Sequence, residues 1–281
     1  FNDINYYKNL MIKQAIIPLA GLGTRLLPLT SVMPKELLPI NGKPNLEYIM
    51  EECLEAGVKQ FIFIISKNKI SIKKYFFNDS FYKKIIKKKK DKRIVEEFRK
   101  IKKYQKMIKF VYQNEPKGTG DAVLKCERLI KSNFFLMLLP DDLIINKNCS
   151  KEMINLHHKT GSSIIATKVV NKKTVSRWGI LSFKNKKKNY FQIKDVIEKP
   201  SIKKAPSNYA IIGRYILPIK IFSEIKKIKP GKGGEIHITD AIKNLIFKGN
   251  LFFGNIFKGK YLDCGTIDGY IQSSIQIFKG K

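Results

Sequence analysis

Cysteine is scarce in this chain, and the cysteines present have no pairing pattern. Cys53, Cys126, Cys149 and Cys264 are scattered, as are His157, His158 and His237, so no metal-ligand spacing of the zinc type exists. Reduced thiols in a cytoplasmic protein are the expectation. Long apolar runs are missing too. The longest near the middle, Phe134 to Leu139, suits a buried strand and is far short of a membrane span. The first residues, FNDINYYKNL, lack a basic segment followed by an apolar one, so no secretory signal is expected there. Met11 stands directly before the first strand and is a candidate start, with residues 1–11 an expected disordered tail.

Acidic residues are few, 23 against 55 Lys and Arg, for a net charge of +32. Arginine itself is rare. Only residues 25, 93, 99, 128, 177 and 214 are Arg, which leaves 49 lysines. Such a balance suits nucleic acid or an anionic membrane. The lysines are spread along the chain, however, with one dense run at Lys87 to Lys90, and Phe, Tyr, Ile and Asn are plentiful, as AT-rich codons give. Codon bias accounts for the charge, and neither a membrane nor a specific nucleic acid is expected as partner. The field still draws polyphosphates, weakly at physiological salt.

At 281 residues with 43% apolar content, the chain can bury a full core. Strand-like runs recur at Gln14–Leu19, Gln60–Ile65, Ile108–Tyr112, Phe134–Leu139 and Ser163–Val170. Helical patterns fall between them, as at Leu46–Ala56, capped by Gly57, and Asp121–Ile130. This alternation predicts an α/β fold with a mostly parallel sheet covered by helices. Residues 80–107 read as lysine-rich helix with a stripe of Ile94, Phe98, Ile101 and Tyr104, packing on the domain or on a subunit partner. The Lys184–Asn189 turn region reads as part of a β-rich insertion, and helices are expected at Lys220–Lys227 and after Thr239. No repeat or linker is visible, so one continuous domain is the simplest organisation.

The most informative stretch is LAGLGTRLLPLTSVMPKELLP, residues 19–39. A strand enters a loop holding Gly21 and Gly23, then Arg25, and ten residues later Lys35. Glycines let backbone N–H groups approach an anion, a following helix N-terminus would add positive charge, and the two cations can serve more than one phosphate. A nucleoside triphosphate fits. No GK[ST] follows the glycines, which excludes a P-loop, and Leu26 replaces the third glycine of the dinucleotide fingerprint.

Further along, Asp141 and Asp142 follow a buried strand, where open α/β sheets place ligands, and Asp263 ends a second short apolar segment before Gly265. Two such aspartates plus a triphosphate fit Mg²⁺. Gln113 follows a strand five residues before Gly118-Thr119-Gly120. Its amide can pair with a pyrimidine edge, and Gly118 would let the base approach the backbone. Glu198-Lys199 closes another strand; Glu198 suits sugar hydroxyls and Lys199 a phosphate, or the two form a surface ion pair. Trp178-Gly179 offers a flat surface and a close backbone to a sugar, although a lone Trp is more often core.

These segments, in this order, resemble the sugar-phosphate nucleotidyltransferases. The resemblance covers about residues 12–280 and rests on AGLGTRLLPLTSVMPKELLP, LPDD, EKP, APSNYAIIGRYIL, GGEIHITDAI and YLDCG. APSN and TDAI point to the uridylyltransferase branch. The resemblance implies a Rossmann-like three-layer α/β/α fold with a mixed, mostly parallel central sheet, of the nucleotide-diphospho-sugar transferase type. It implies a nucleotide-binding half at about 12–145 and a sugar-phosphate-binding half at about 146–281 of a single domain, 12–281. The activity implied is Mg²⁺-dependent transfer of UMP from UTP to α-D-glucose 1-phosphate, giving UDP-glucose and pyrophosphate. Ala20, Gly21, Leu22, Gly23, Gln113 and Gly118 would bind the nucleotide, and Arg25 and Lys35 its triphosphate. Asp141 and Asp263 would ligate Mg²⁺, while Gly179, Glu198 and Lys199 would hold the sugar phosphate. Close relatives are dimers or tetramers, so a homo-oligomer is expected. A relative with another base or sugar, such as a glucose-1-phosphate thymidylyltransferase, is the nearer alternative; a basic nucleic-acid-binding protein is the remoter one. One departure stands out: GTGDA replaces the branch's GLGHA-like word and puts Asp121 at the histidine position. That carboxylate either weakens anion binding or acts as a favourable charge at a helix start.

Overall fold

The structure is a computed structural model and describes residues 10–231 and 234–280. The expected tail lies outside the described residues up to position 9; of its last two residues, Leu10 is buried and Met11 exposed. In chain order the strands are β1 (Gln14–Pro18), β2 (Pro39–Ile40), β3 (Lys43–Pro44), β4 (Gln60–Ile65), β5 (Ile108–Tyr112), β6 (Phe134–Leu138), β7 (Asp142–Ile145), β8 (Ser163–Val169), β9 (Gly179–Lys184), β10 (Tyr190–Glu198), β11 (Tyr209–Pro218), β12 (Phe252–Ile256) and β13 (Lys260–Asp263). The helices are α1 (Asn45–Glu55), α2 (Ile70–Phe77), α3 (Asp79–Lys89), α4 (Lys92–Gln105), α5 (Gly118–Leu124), α6 (Cys149–Thr160), α7 (Ile221–Ile225), α8 (Ile238–Phe247) and α9 (Ile267–Lys279).

Nine strands form the central sheet in the order β5-β4-β1-β6-β11-β8-β12-β10-β9. The pairs β5–β4, β4–β1, β1–β6 and β8–β12 are parallel, and the remaining neighbours are antiparallel. Only β11 and β10 therefore run against the other seven, which is the mixed, mostly parallel sheet that the resemblance implies. Alternation within strands builds the layers. On β1 and β4, Ala15, Ile17, Phe61 and Phe63 join one core with α1, α2, α4 and α6, while Ile16, Ile62 and Ile64 join a second core with α5, α7 and α8.

Three local expectations change. The helix expected over 121–130 begins at Gly118 and stops at Leu124, followed by a 3₁₀ turn at Glu127–Leu129. Its last carbonyl goes elsewhere: Leu129 O accepts from Gln14 Nε2 at 2.9 Å, and Gln14 Oε1 accepts from Lys131 N at 2.7 Å. The 80–107 region is two helices, broken at Lys90 (φ 49°) and restarted by Asp91, whose side chain caps Arg93 N at 2.8 Å. Its stripe turns inward: Ile101 and Tyr104 are buried, and Phe98 stacks on Tyr82 with ring centres 5.3 Å apart. Finally, Lys184–Asn189 belongs to no insertion. It joins β9 to β10, and both extend the central sheet through β10–β12 and β11–β9 pairing.

Candidate functional site

Parallel strands direct their C-terminal ends to one edge, and the ends of β1, β5 and β6 open there into a cleft of about 800 Å³. All thirteen residues singled out as site candidates line it: Ala20, Gly21, Leu22, Gly23, Arg25 and Lys35 from the first loop; Gln113 and Gly118 after β5; Asp141 after β6; Gly179, Glu198 and Lys199 from the β9–β10 pair; and Asp263 at the end of β13. Residues separated by more than two hundred positions thus face one space.

The glycine loop is closed by Thr30, whose hydroxyl donates to Gly23 O at 2.9 Å. It does not run into an α-helix. Three 3₁₀ turns follow, at Thr24–Leu26, Leu29–Ser31 and Lys35–Leu37, and α1 starts only at Asn45. The helix N-terminus considered for anion binding is therefore absent from this end of the site, and side-chain cations and loop amides carry the charge. Lys35 Nζ lies 2.6 Å from Asp141 Oδ2, and Arg25 reaches the same oxygen at 3.3 Å. Burial alone would lower the Lys35 pKa, but Asp141 and Glu36 beside it leave it raised. Burial would likewise raise Asp141, and Lys35 and Arg25 hold it below its ordinary value. Beneath them Glu36, one per cent exposed, accepts from Lys69 Nζ with both oxygens at 2.8 Å.

The carboxylates converge because β7 and β13 pair antiparallel, with Asp142 opposite Asp263. A Cβ built on Gly265 would lie 2.9 Å from Asp141 Oδ2, 3.1 Å from Asp263 Oδ1 and 2.7 Å from Arg25, so both acids close on this glycine and a side chain there would press on them. No cluster of three or more metal-ligating side chains exists among the described residues. Two carboxylates lining one cleft, beside cations suited to phosphate, fit Mg²⁺, which keeps water and substrate oxygens as its other ligands. Asp263 is steadied by Gly265 N at 2.9 Å and by Arg177 at 3.3 Å.

Asp142 accepts from Tyr261 Oη at 2.7 Å, and its pKa is pushed up to about 7 by burial and by the charge of Asp141. Because the folded value exceeds the ordinary one of 3.8, the fold retains a proton that the unfolded chain has released between about pH 4 and 7. Stability from this group is therefore lost as pH rises through that window. Asp142→Asn, which cannot ionise, is expected to stabilise metal-free protein at pH 8 by on the order of 1 kcal/mol more than at pH 5. Denaturant melts at both values check this, and an equal effect at each rejects it.

Behind the acids lies Arg214 on β11, with no exposed surface. It holds the Glu52 carboxylate of α1 at 2.9 Å and donates to Asp142 O at 2.6 Å and Leu139 O at 3.2 Å. Elsewhere in the cleft, Glu198 Oε2 accepts from Thr239 of α8 at 3.0 Å, and a Cβ on Gly179 would come within 3.2 Å of the same oxygen. Trp178 lines the cleft and also packs into the core, edge-on to Tyr261. Glycine at 118 also answers a demand of the fold. Its φ is +90°, and a Cβ would lie 2.5 Å from Ile236 O, so the close neighbour that demands glycine is protein backbone.

Arg177, Thr239 and Tyr261 were not singled out as site residues. A signal for Arg177 was present in the composition: in a chain of 49 lysines, three of the six arginines (25, 177 and 214) line the cleft or underlie it. A planar fork is retained where lysine cannot substitute.

The family model for nucleotidyl transferases matches residues 14–280. A UTP–glucose-1-phosphate uridylyltransferase of Pseudomonas aeruginosa is 38% identical over 272 residues, covering 94% of this chain and 95% of that protein. UTP–glucose-1-phosphate uridylyltransferase 1 of Staphylococcus saprophyticus is 37% identical over 266 residues, covering 94% and 92%. Among solved structures, a UDP-glucose pyrophosphorylase complexed with UDP-glucose superposes with a TM-score of 0.85 at 37% identity, covering 96% of this chain and all of that one.

Proposed function

Because the chain belongs to the nucleotidyl transferase family, we propose that it transfers UMP from UTP to α-D-glucose 1-phosphate, releasing pyrophosphate and giving UDP-glucose. The observation that carries this reading is the single cleft in which the glycine loop and its cations face two carboxylates and the Glu198-Lys199 pair.

The chemistry asks little of a general base. A sugar-phosphate oxygen is already anionic near neutral pH, so the reaction is limited by bringing two anions together and stabilising the departing pyrophosphate. Residues 12–145 form the nucleotide half and 146–281 the sugar-phosphate half of one domain. Loop residues 20–23 hold the nucleotide, Gln113 and Gly118 bound the base, and Arg25 and Lys35 take the charge of the leaving group. Glu198, fixed by Thr239, accepts from sugar hydroxyls beside Gly179. Lys199 draws the sugar phosphate towards the triphosphate. Asp141 and Asp263 are the pair that would hold Mg²⁺, which when bound supplies positive charge to the phosphates. A homo-oligomer, dimer or tetramer, is part of the same reading. Its support is an exposed apolar row on α9, Ile267, Ile271, Ile275 and Phe278, while Ile101 and Tyr104 of the 80–107 stripe are spent inside the chain.

A pyrophosphate-release assay with glucose 1-phosphate and each of UTP, dTTP, ATP, GTP and CTP tests the proposal. UTP is expected to be fastest; a preference for dTTP would move the chain to the thymidylyl branch, and no release with any would reject transferase activity on this sugar. Asp263→Asn is expected to raise the Mg²⁺ concentration for half-maximal rate at least about tenfold, since one carboxylate of two is lost. An unchanged Mg²⁺ titration removes Asp263 from the metal's ligands.

A further inference from the structure

The carboxylate at position 121 touches neither Arg25 nor Lys35, yet it is firmly placed against the residue that faces the base. Gln113 Nε2 donates to Asp121 Oδ2 at 2.7 Å and to Gly118 O at 3.2 Å, and the Gln113 main chain is fixed by its N–H to Ile65 O at 2.9 Å. Gln113 is six per cent exposed and lines the cleft. Asp121 is held in turn by Lys125, one helical turn on, at 3.6 Å.

A primary amide has a donor end and an acceptor end, exchanged by a half-turn about its last bond. Both partners on one side of Gln113, a carboxylate oxygen and a backbone carbonyl, accept from it. Turning the amide over would set its oxygen against two acceptors, so its two N–H groups are committed to Asp121 and Gly118. What remains for a ligand is Oε1, which has no hydrogen-bond partner among the described residues. An acceptor fixed in that place matches the N3–H of uracil or thymine. It opposes the N3 lone pair of cytosine.

We propose that Asp121 is a positioning residue for base selection: it locks the Gln113 amide with its oxygen towards the cleft, so that the site takes a pyrimidine bearing an N–H at position 3 and refuses cytosine. This rests on the uridylyl-transfer reading, and it gives Asp121 a task distinct from either alternative raised by the sequence. Its place in the first turn of α5 also suits a negative charge.

The test is kcat/KM for UTP and for CTP, with Kd for each nucleotide measured calorimetrically without sugar, in wild type, Asp121→Ala and Asp121→Asn. Alanine is a strong helix former, and position 121 lies in a helix, so the substitution is compatible with the fold. Asp121→Ala frees the amide to turn, and the UTP-over-CTP ratio is expected to fall at least tenfold in both kcat/KM and Kd. Asp121→Asn still accepts from Gln113 through its oxygen but can also donate, so a smaller fall, at least threefold, is expected. Equal losses for both nucleotides, with the ratio within twofold of wild type, overturn the proposal; should Asp121→Ala fail to fold, the same criterion applied to Asp121→Asn decides. A wild type that binds neither nucleotide instead refutes the uridylyl-transfer reading, so the two failures are distinguishable.

Discussion

Asp141→Ala is expected to lower turnover at least about 10²-fold, on the order of 3 kcal/mol of transition-state stabilisation. The carboxylate does two things at once. It is one of the two acids packed against Gly265, and it is the shared anchor of Lys35 at 2.6 Å and Arg25 at 3.3 Å. Removing it takes away a ligand for Mg²⁺ and leaves two cations without the charge that sets their spacing. Asp141→Asn separates these functions: the amide oxygen can still accept from Lys35, but its charge is gone, so this variant is expected to be nearly as slow. Steady-state pyrophosphate release gives the rate, and a thermal melt confirms that the variants fold. Near-normal turnover by Asp141→Ala removes the residue from the mechanism.

Lys199→Ala is expected to cost a similar factor, at least about 10²-fold in turnover, because the proposed arrangement gives the sugar phosphate to this cation. Its backbone supports a functional reason for the residue. Lys199 is exposed and has φ of 43°, in the left-handed region that lysine disfavours, and its N–H is tied to Trp178 O at 3.0 Å. A glycine there would suit the conformation better. Lys199→Gly is therefore expected to be at least as stable as wild type while being as slow as Lys199→Ala. Stability and activity moving in opposite directions mark a side chain kept for chemistry, and a fast Lys199→Gly variant contradicts that role.

Local features of the sequence predicted local structure well. Five apolar runs became β1, β4, β5, β6 and β8 within a residue of their expected ends; β1, β4 and β6 are buried almost throughout, which demands apolar residues on both faces. The site loops were legible for the complementary reason: glycines, paired acids and isolated cations at strand ends have few structural uses. Interactions between distant residues were not legible. Arg214 meets Glu52 across 162 positions and Tyr261 meets Asp142 across 119, and neither member of either pair signals the other. The Gln113–Asp121 bond spans only eight residues, yet its sense depends on the Gly118 carbonyl, which the Ile236 backbone helps to place. The partner of Leu129 O at the end of the 127–129 turn, Gln14 on β1, lies 115 positions away and leaves no local signal.

The β7–β13 ribbon has a further consequence for how this site can vary. Leu143 and Leu262 face each other across it and are both buried, which locks its register. Sliding one strand by a single residue would turn Asp263 to the opposite face and move it about 3.3 Å along the pair. The separation of the two acids is therefore quantised. It can be altered by exchanging aspartate for a longer or shorter side chain, but there is no series of small backbone adjustments by which it could drift.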